Sequence, residues 1–92
     1  MYVVICYDVV KDRRRTKLHR RLKAWLVPVQ KSVFEGEVKP WLWGEVERAI
    51  EEEIDPATDT VRVYQLCRGC RPLMQRYGIA VQVDGVERDV IV

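Results

Sequence analysis

Residues 2–26 read Tyr-Val-Val-Ile-Cys-Tyr-Asp-Val-Val-Lys-Asp-Arg-Arg-Arg-Thr-Lys-Leu-His-Arg-Arg-Leu-Lys-Ala-Trp-Leu, and the pattern of apolar residues changes period within them. Tyr2 to Tyr7 is β-branched and aromatic, the composition of a buried strand, and Asp8 bounds it. From Asp12 onward Leu18, Leu22, Trp25 and Leu26 fall at i, i+4, i+7 and i+8, which predicts a helix running to about Leu26 with Asp12 as its cap. The other faces of that helix carry Arg13, Arg14, Lys17, Arg20, Arg21 and Lys23. Pro28 lacks an amide hydrogen and disfavours helix at Val27, so the helix cannot continue past it.

Downstream, Val29 to Val38 is strand-like again, with a bend or split predicted near Gln30–Ser32 and Gly36 placed to allow a bulge. Pro40 suits a first helical position, and Leu42, Val46, Ala49, Ile50 and Ile54 follow at helical spacing. Asp55-Pro-Ala-Thr-Asp reads as a turn. Thr60 to Cys67 alternates as a strand, with Val61 and Val63 on one face and Arg62, Tyr64 and Leu66 on the other. Gly69 and Pro72 break the chain. A short strand at Ile79–Val83, a turn at Asp84-Gly85 and a last strand around Val90–Val92 complete it. The order βαββαβ, with residues 78–92 as a C-terminal hairpin or arm, predicts a single ferredoxin-like α+β domain over residues 1–92.

Two helices cover one face of such a sheet, and the other face needs a partner. Tyr2, Val4, Cys6 and Asp8 share one face of the first strand, and Val3, Ile5 and Tyr7 share the other. With the helices on the Val3 face, Tyr2, Val4 and Cys6 are left for a subunit interface. A twofold axis there would bring two copies of Asp8 together. Paired carboxylates repel unless a proton or cation lies between them, so a metal ion suits that place. A homodimer is expected for a second reason: a chain of 92 residues buries only ~60–65% of its unfolded surface.

Composition narrows the class. Apolar residues make up 48% of the chain and charged ones 33%, which is globular usage. No apolar run reaches the ~18–20 residues of a membrane span. The start reaches Asp8 without a basic leader, unlike a signal peptide. Three cysteines, an odd count, exclude a disulfide framework and point to a reducing cytoplasm.

The net charge of +2 hides a division: residues 11–31 carry a local +8, and residues 35–59 a local −7. The basic block can attract a polyanion, or the two blocks can pair with each other on adjacent elements. Arg13, Arg14 and Lys17, continued by Arg20 and Arg21, would contact phosphates without reading sequence; Arg62 and Arg68 extend the set.

Single residues have plainer readings. A strand-end Asp8 is a turn or capping residue or a ligand. His19 reads as a packing or surface residue, and Trp25, Trp41 and Trp43 as packing or interface residues rather than base-stacking platforms. Cys67-x-x-Cys70 lacks a second pair for tetrahedral zinc and reads as turn residues. Glu51, Glu52 and Glu53 read as a solvated helix face.

Tyr7-Asp8 ending the first strand, the Arg13-Arg14-Arg15 run, Gln30-x-Ser32-Val33-Phe34-Glu35 and Asp59-x-Val61-Arg62-Val63-Tyr64 together resemble the Cas-two family of small CRISPR-associated adaptation proteins. The resemblance covers roughly residues 2–67. It implies a ferredoxin-like homodimer that bridges two dimers of the Cas-one integrase while new spacers are captured on dsDNA. It also implies magnesium-dependent nuclease chemistry on RNA or duplex DNA, as described for many members. The family's metal-binding, catalytic aspartate corresponds to Asp8, its basic helix start to Arg13–Arg15, and its Ser-Val-Phe segment to Ser32, Val33 and Phe34. Many relatives carry a second acid two residues after the aspartate, where this chain has Val10. Abundant basic charge beside few catalytic groups favours the adaptor role over the nuclease. An RNA-interferase toxin or an RNA-binding module outside CRISPR is the alternative.

Overall fold

The computed structural model describes residues 1–67, with all side chains, and the backbone of 78–80 and 89–91. Strand β1 spans Tyr2–Asp8, helix α1 Asp12–Leu22, β2 Val27–Gln30 and β3 Val33–Glu37. A single 3-10 turn at Pro40–Leu42 leads into α2, Trp43–Glu53, and β4 covers Thr60–Leu66. β1 to β4 form one antiparallel sheet in the order β2-β3-β1-β4, the ferredoxin-like arrangement expected from the element order. β5 (Gly78–Ala80) and β6 (Asp89–Ile91) pair antiparallel as a separate ribbon. The Asp84-Gly85 turn, Arg68 and Cys70 lie outside the described residues.

Both helices lie on the Val3 face. Val3, Ile5 and Tyr7 of β1 and Phe34 of β3 share one core with Leu18 and Leu22 of α1 and Val46 and Ile50 of α2. Phe34 is fully enclosed and Ile5, its register partner, is equally inaccessible. Side chains of this size each stabilise the fold by about 1.5–3 kcal/mol when fully buried. Trp25 and Trp43 pack against the core as expected of them, whereas Trp41 is 75% exposed with the Lys39 ammonium 6.0 Å from its ring centroid.

Three local expectations need correction. α1 ends at Leu22 and the chain turns over residues 23–25; Leu26 still reaches the core, but from the approach to β2. Lys11 is the N-cap and makes no side-chain cap bond, while Asp12 sits in the first turn, where its carboxylate suits the helix dipole and pairs with Arg15. The bulge falls in β2 between Pro28 and Gln30, and Gly36 pairs regularly with Val3. Pro28 is tolerated because β2 is an edge strand. What Gly36 permits is a close approach: a Cβ there would stand 3.1 Å from Leu26 Cδ2.

The face of the sheet turned away from the helices carries Val4, Cys6 and Asp8 of β1, Val33 of β3 and Arg62 and Tyr64 of β4. Val4, Cys6 and Val33 are half-buried, and Tyr64 is 48% exposed. Tyr2, expected to be available for a subunit interface, is already buried within the chain, as is Glu35 on the same face.

Candidate nucleic-acid interface and its strand-end carboxylate

The basic residues of α1 separate into two stripes, a division that helical geometry imposes at four-residue spacing. Arg13, Lys17 and Arg20, at i, i+4 and i+7, are exposed and form no ion pair among the described residues. Arg14 and Arg21, seven apart, face acids instead. Arg21 Nη1 donates to Glu52 Oε1 at 2.8 Å and to Glu53 Oε2 at 2.9 Å, so those two glutamates are not simply a solvated face. Arg14 Nε donates to Asp59 Oδ2 at 3.0 Å and its Nη2 to Asp59 Oδ1 at 3.2 Å. The acidic block therefore takes up part of the basic block, as one of the two readings of the charge division required. Arg15 is half-buried; it pairs with Asp12 and donates to the Val9 carbonyl at 3.0 Å.

Asp59 lies at the entry to β4, and its side chain is inaccessible to solvent. Besides Arg14, its carboxylate accepts from the Val10 amide at 2.9 Å, the Asp55 amide at 2.8 Å and the Thr58 hydroxyl at 3.1 Å. The Arg14 guanidinium, reinforced by the two backbone amides and opposed by burial, holds this carboxyl well below the usual carboxylate range. The sequence signal for it was indirect: an acid closing the 55–59 turn, with its partner 45 residues away.

Asp8, at the end of β1 and opposite Thr60, is exposed, and its carboxylate makes no hydrogen bond or ion pair among the described residues. The sheet register places Arg62 opposite Cys6, so Arg62 is the diagonal cross-strand neighbour of Asp8 on the same face. Among the described residues no cluster of three His, Cys, Asp or Glu could hold a metal ion. A lone, unpartnered carboxylate is a hard oxygen donor and fits Mg²⁺, which keeps most of its waters and takes one or two carboxylates. It does not make a self-contained metal cage.

Tyr7 points to the core side of β1. Its amide donates to the Ser32 carbonyl at 3.0 Å, and its hydroxyl lies 3.1 Å from His19 Nδ1 and donates to the Lys31 carbonyl at 3.3 Å. The His19 ring sits against Phe34, centroids 4.9 Å apart, and Phe34 stacks on Tyr7 at 6.1 Å. Burial, aided by Lys23, lowers the His19 pKa, and burial raises that of Tyr7. His19 is thus a packing residue. Ser32, Val33 and Phe34 serve the sheet: Val33 pairs with Cys6 and Phe34 with Ile5.

One antiparallel sheet in the order β2-β3-β1-β4 with both helices on a single face defines the class, a small ferredoxin-like α+β domain, here with an exposed basic stripe on α1 and an unpartnered carboxylate at the end of β1. Within that class the chain belongs to the CRISPR associated protein Cas2 family, whose model matches residues 1–74. It is 36% identical over 81 residues to the CRISPR-associated endoribonuclease Cas2 3 of Chloroflexus aurantiacus, covering 88% of this chain and 87% of that one. It is 40% identical over 76 residues to the CRISPR-associated endoribonuclease Cas2 2 of Methanospirillum hungatei, covering 83% and 84%. The crystal structure of Streptococcus pyogenes Cas2 at pH 6.5 is similar in fold, with a TM-score of 0.76 and 26% identity over 85% of this chain and all of that one. Among the described residues no helix is long and apolar enough to cross a membrane.

Proposed function

We propose that this chain is a CRISPR adaptation protein: a nucleic-acid-binding homodimer, acting in the cytoplasm, that bridges Cas-one integrase dimers while a spacer is captured. The observation that carries the reading is the exposed stripe of Arg13, Lys17 and Arg20, left over after Arg14 and Arg21 are taken up by acids. Cations on one helical face contact backbone phosphates and leave base edges unread, which suits a protein that must accept any spacer. Arg14 and Arg21 then support the stripe by holding α1 against the 55–59 turn and α2, and Arg15 by tying it to the Val9 carbonyl, rather than by reaching the nucleic acid themselves. Membership of a CRISPR family weighs against a toxin or RNA-binding module outside CRISPR.

A metal-dependent phosphodiesterase activity on ssRNA or dsDNA is the second reading, favoured by the unpartnered Asp8 and by the relatives' names. Asp8, with its copy across a twofold axis, would hold Mg²⁺. When bound, the ion supplies a more acidic water and stabilises charge on the phosphate. Arg62, diagonal to Asp8, would orient the phosphate, and the basic stripe would hold the strand beyond it. Among the described residues no second general base stands by, since His19 is packed against Phe34 and Tyr7.

The two readings part on Asp8→Asn, assayed beside the wild type for Mg²⁺-dependent cleavage and for spacer acquisition with the integrase. Cleavage is expected to vanish while duplex binding, dimerisation and acquisition persist. Full cleavage by the purified variant removes Asp8 from the chemistry; lost acquisition makes catalysis part of the adaptor's work.

A further inference from the structure

We propose that Asp59 is a positioning residue for Asp8, acting through the peptide group that joins Val9 to Val10. The inference rests on the reading of Asp8 as the metal-holding carboxylate and deepens it. That single peptide group is held at both polar ends: its carbonyl, on Val9, accepts from Arg15 Nη1 at 3.0 Å, and its amide, on Val10, donates to Asp59 Oδ1 at 2.9 Å. Two consecutive arginines of α1 thus serve one peptide, Arg15 directly and Arg14 through the carboxylate it grips at 3.0 and 3.2 Å. The Val9 side chain, 2% exposed, fixes the same residue from the core side.

Asp8 is the residue before this clamp, and its register partner, Thr60, is the residue after Asp59. Both strands are therefore fixed at the point where Asp8 leaves the sheet. A strand end without such ties opens easily, because few contacts oppose its fraying. Here the backbone on either side of Asp8 is held, and only its side-chain torsions stay free. A carboxylate that must meet an ion, and its own copy, at a set position gains affinity from that fixity, as ligands held by outer-shell partners do. The sequence makes the clamp with one acid, Asp59, whose Oδ2 is tied to the Asp55 amide at 2.8 Å so that Oδ1 stays aimed at Val10.

The test is Mn²⁺ titration of the intact protein, read by paramagnetic broadening of the Asp8, Val9 and Val10 amide signals. Asp59→Asn and Arg15→Gln remove opposite ends of the clamp, and Arg15→Gln decides the matter if Asp59→Asn does not fold. Val46→Ala, a core truncation in α2, controls for lost stability alone. Both clamp variants are expected to weaken Mn²⁺ binding about tenfold or more, with Val46→Ala at the wild-type value. Wild-type affinity in both clamp variants, or an equal loss in Val46→Ala, overturns the positioning role. An Asp8→Asn protein that binds Mn²⁺ like the wild type overturns the metal reading itself, and the positioning role with it.

Discussion

Arg14 and Asp59 meet through two hydrogen bonds, Nε to Oδ2 at 3.0 Å and Nη2 to Oδ1 at 3.2 Å, across 45 residues of chain. The pair joins the first turn of α1 to the entry of β4, and the carboxylate is out of contact with water. Removing one partner of a buried pair strands the other charge, which costs more than losing an exposed pair.

Thermal melts should therefore rank the variants. Asp59→Ala is expected to lower Tm more than Glu52→Gln, whose pairing with Arg21 is solvent-exposed. The acid limb carries a second signature. A carboxyl held low in the folded state contributes stability that is complete above its unfolded pKa near 3.8 and drains away as pH falls toward the depressed folded value. Between pH 5 and 2 the wild type should lose stability more steeply than Asp59→Asn; parallel curves would mean that the Arg14 contact does not hold the proton off.

Salt dependence separates the two stripes of α1. If Arg13, Lys17 and Arg20 each neutralise one phosphate, a dimer engages about six, and the log–log slope of duplex affinity against salt is about −5. Replacing all three with Ala in both protomers should nearly abolish that slope. Arg21→Gln should leave it near the wild-type value, because that guanidinium is already engaged with Glu52 and Glu53. Equal loss of slope in the two proteins would assign the whole helix, and not one stripe, to the contact.

Local periodicity made the sheet, its two faces and the position of both helices legible: Val3, Ile5 and Tyr7 alternate with Val4 and Cys6, and Val46, Ala49 and Ile50 recur at helical spacing. Periodicity misplaced the end of α1 because Leu26 continues the helical spacing while the chain has already turned, and a leucine reaches the same core from either geometry. Within the basic run it marked every arginine as solvent-side. Which of them meets an acid depends on how α1 lies against α2 and the 55–59 turn, and that is set by contacts 31 to 45 residues apart in the chain. Asp8 could be picked out as the strand's boundary; Asp59 stood only as the first residue of the Asp59-x-Val61-Arg62-Val63-Tyr64 stretch, with no role, because its importance lies in what the fold brings to it.

His19 gives a separate prediction nearer neutral pH. Burial lowers its folded-state pKa, so between that value and the unfolded 6.5 the unfolded chain binds more protons. Stability from this group is complete above pH 6.5 and is lost as pH falls through the folded value. Denaturant melts from pH 7.5 to 5 should show the wild type weakening, and His19→Gln, whose side-chain amide can still hydrogen-bond the Tyr7 hydroxyl, should show a flatter profile. A profile unchanged by the substitution would place the titrating group elsewhere.

The sheet face away from the helices sets the last expectation. Val4, Cys6 and Val33 are half-buried there, and Tyr64 stands 48% exposed beside Val4 in register. An apolar face of this kind is covered in solution when a second copy removes roughly 800 Å² per partner from water. Light scattering on the wild type should give the mass of two chains. Tyr64→Asp places a charge next to Val4 on that face, from the edge strand β4, while leaving the core side of β4 intact, and it should weaken the dimer at least tenfold at unchanged circular dichroism. The same variant should then lose much of its affinity for duplex, because one protomer offers half the cations and the salt dependence falls with them. A wild-type protein that stays at single-chain mass at 100-fold dilution and at high concentration alike would remove the twofold axis, and with it the pairing of the two Asp8 carboxylates.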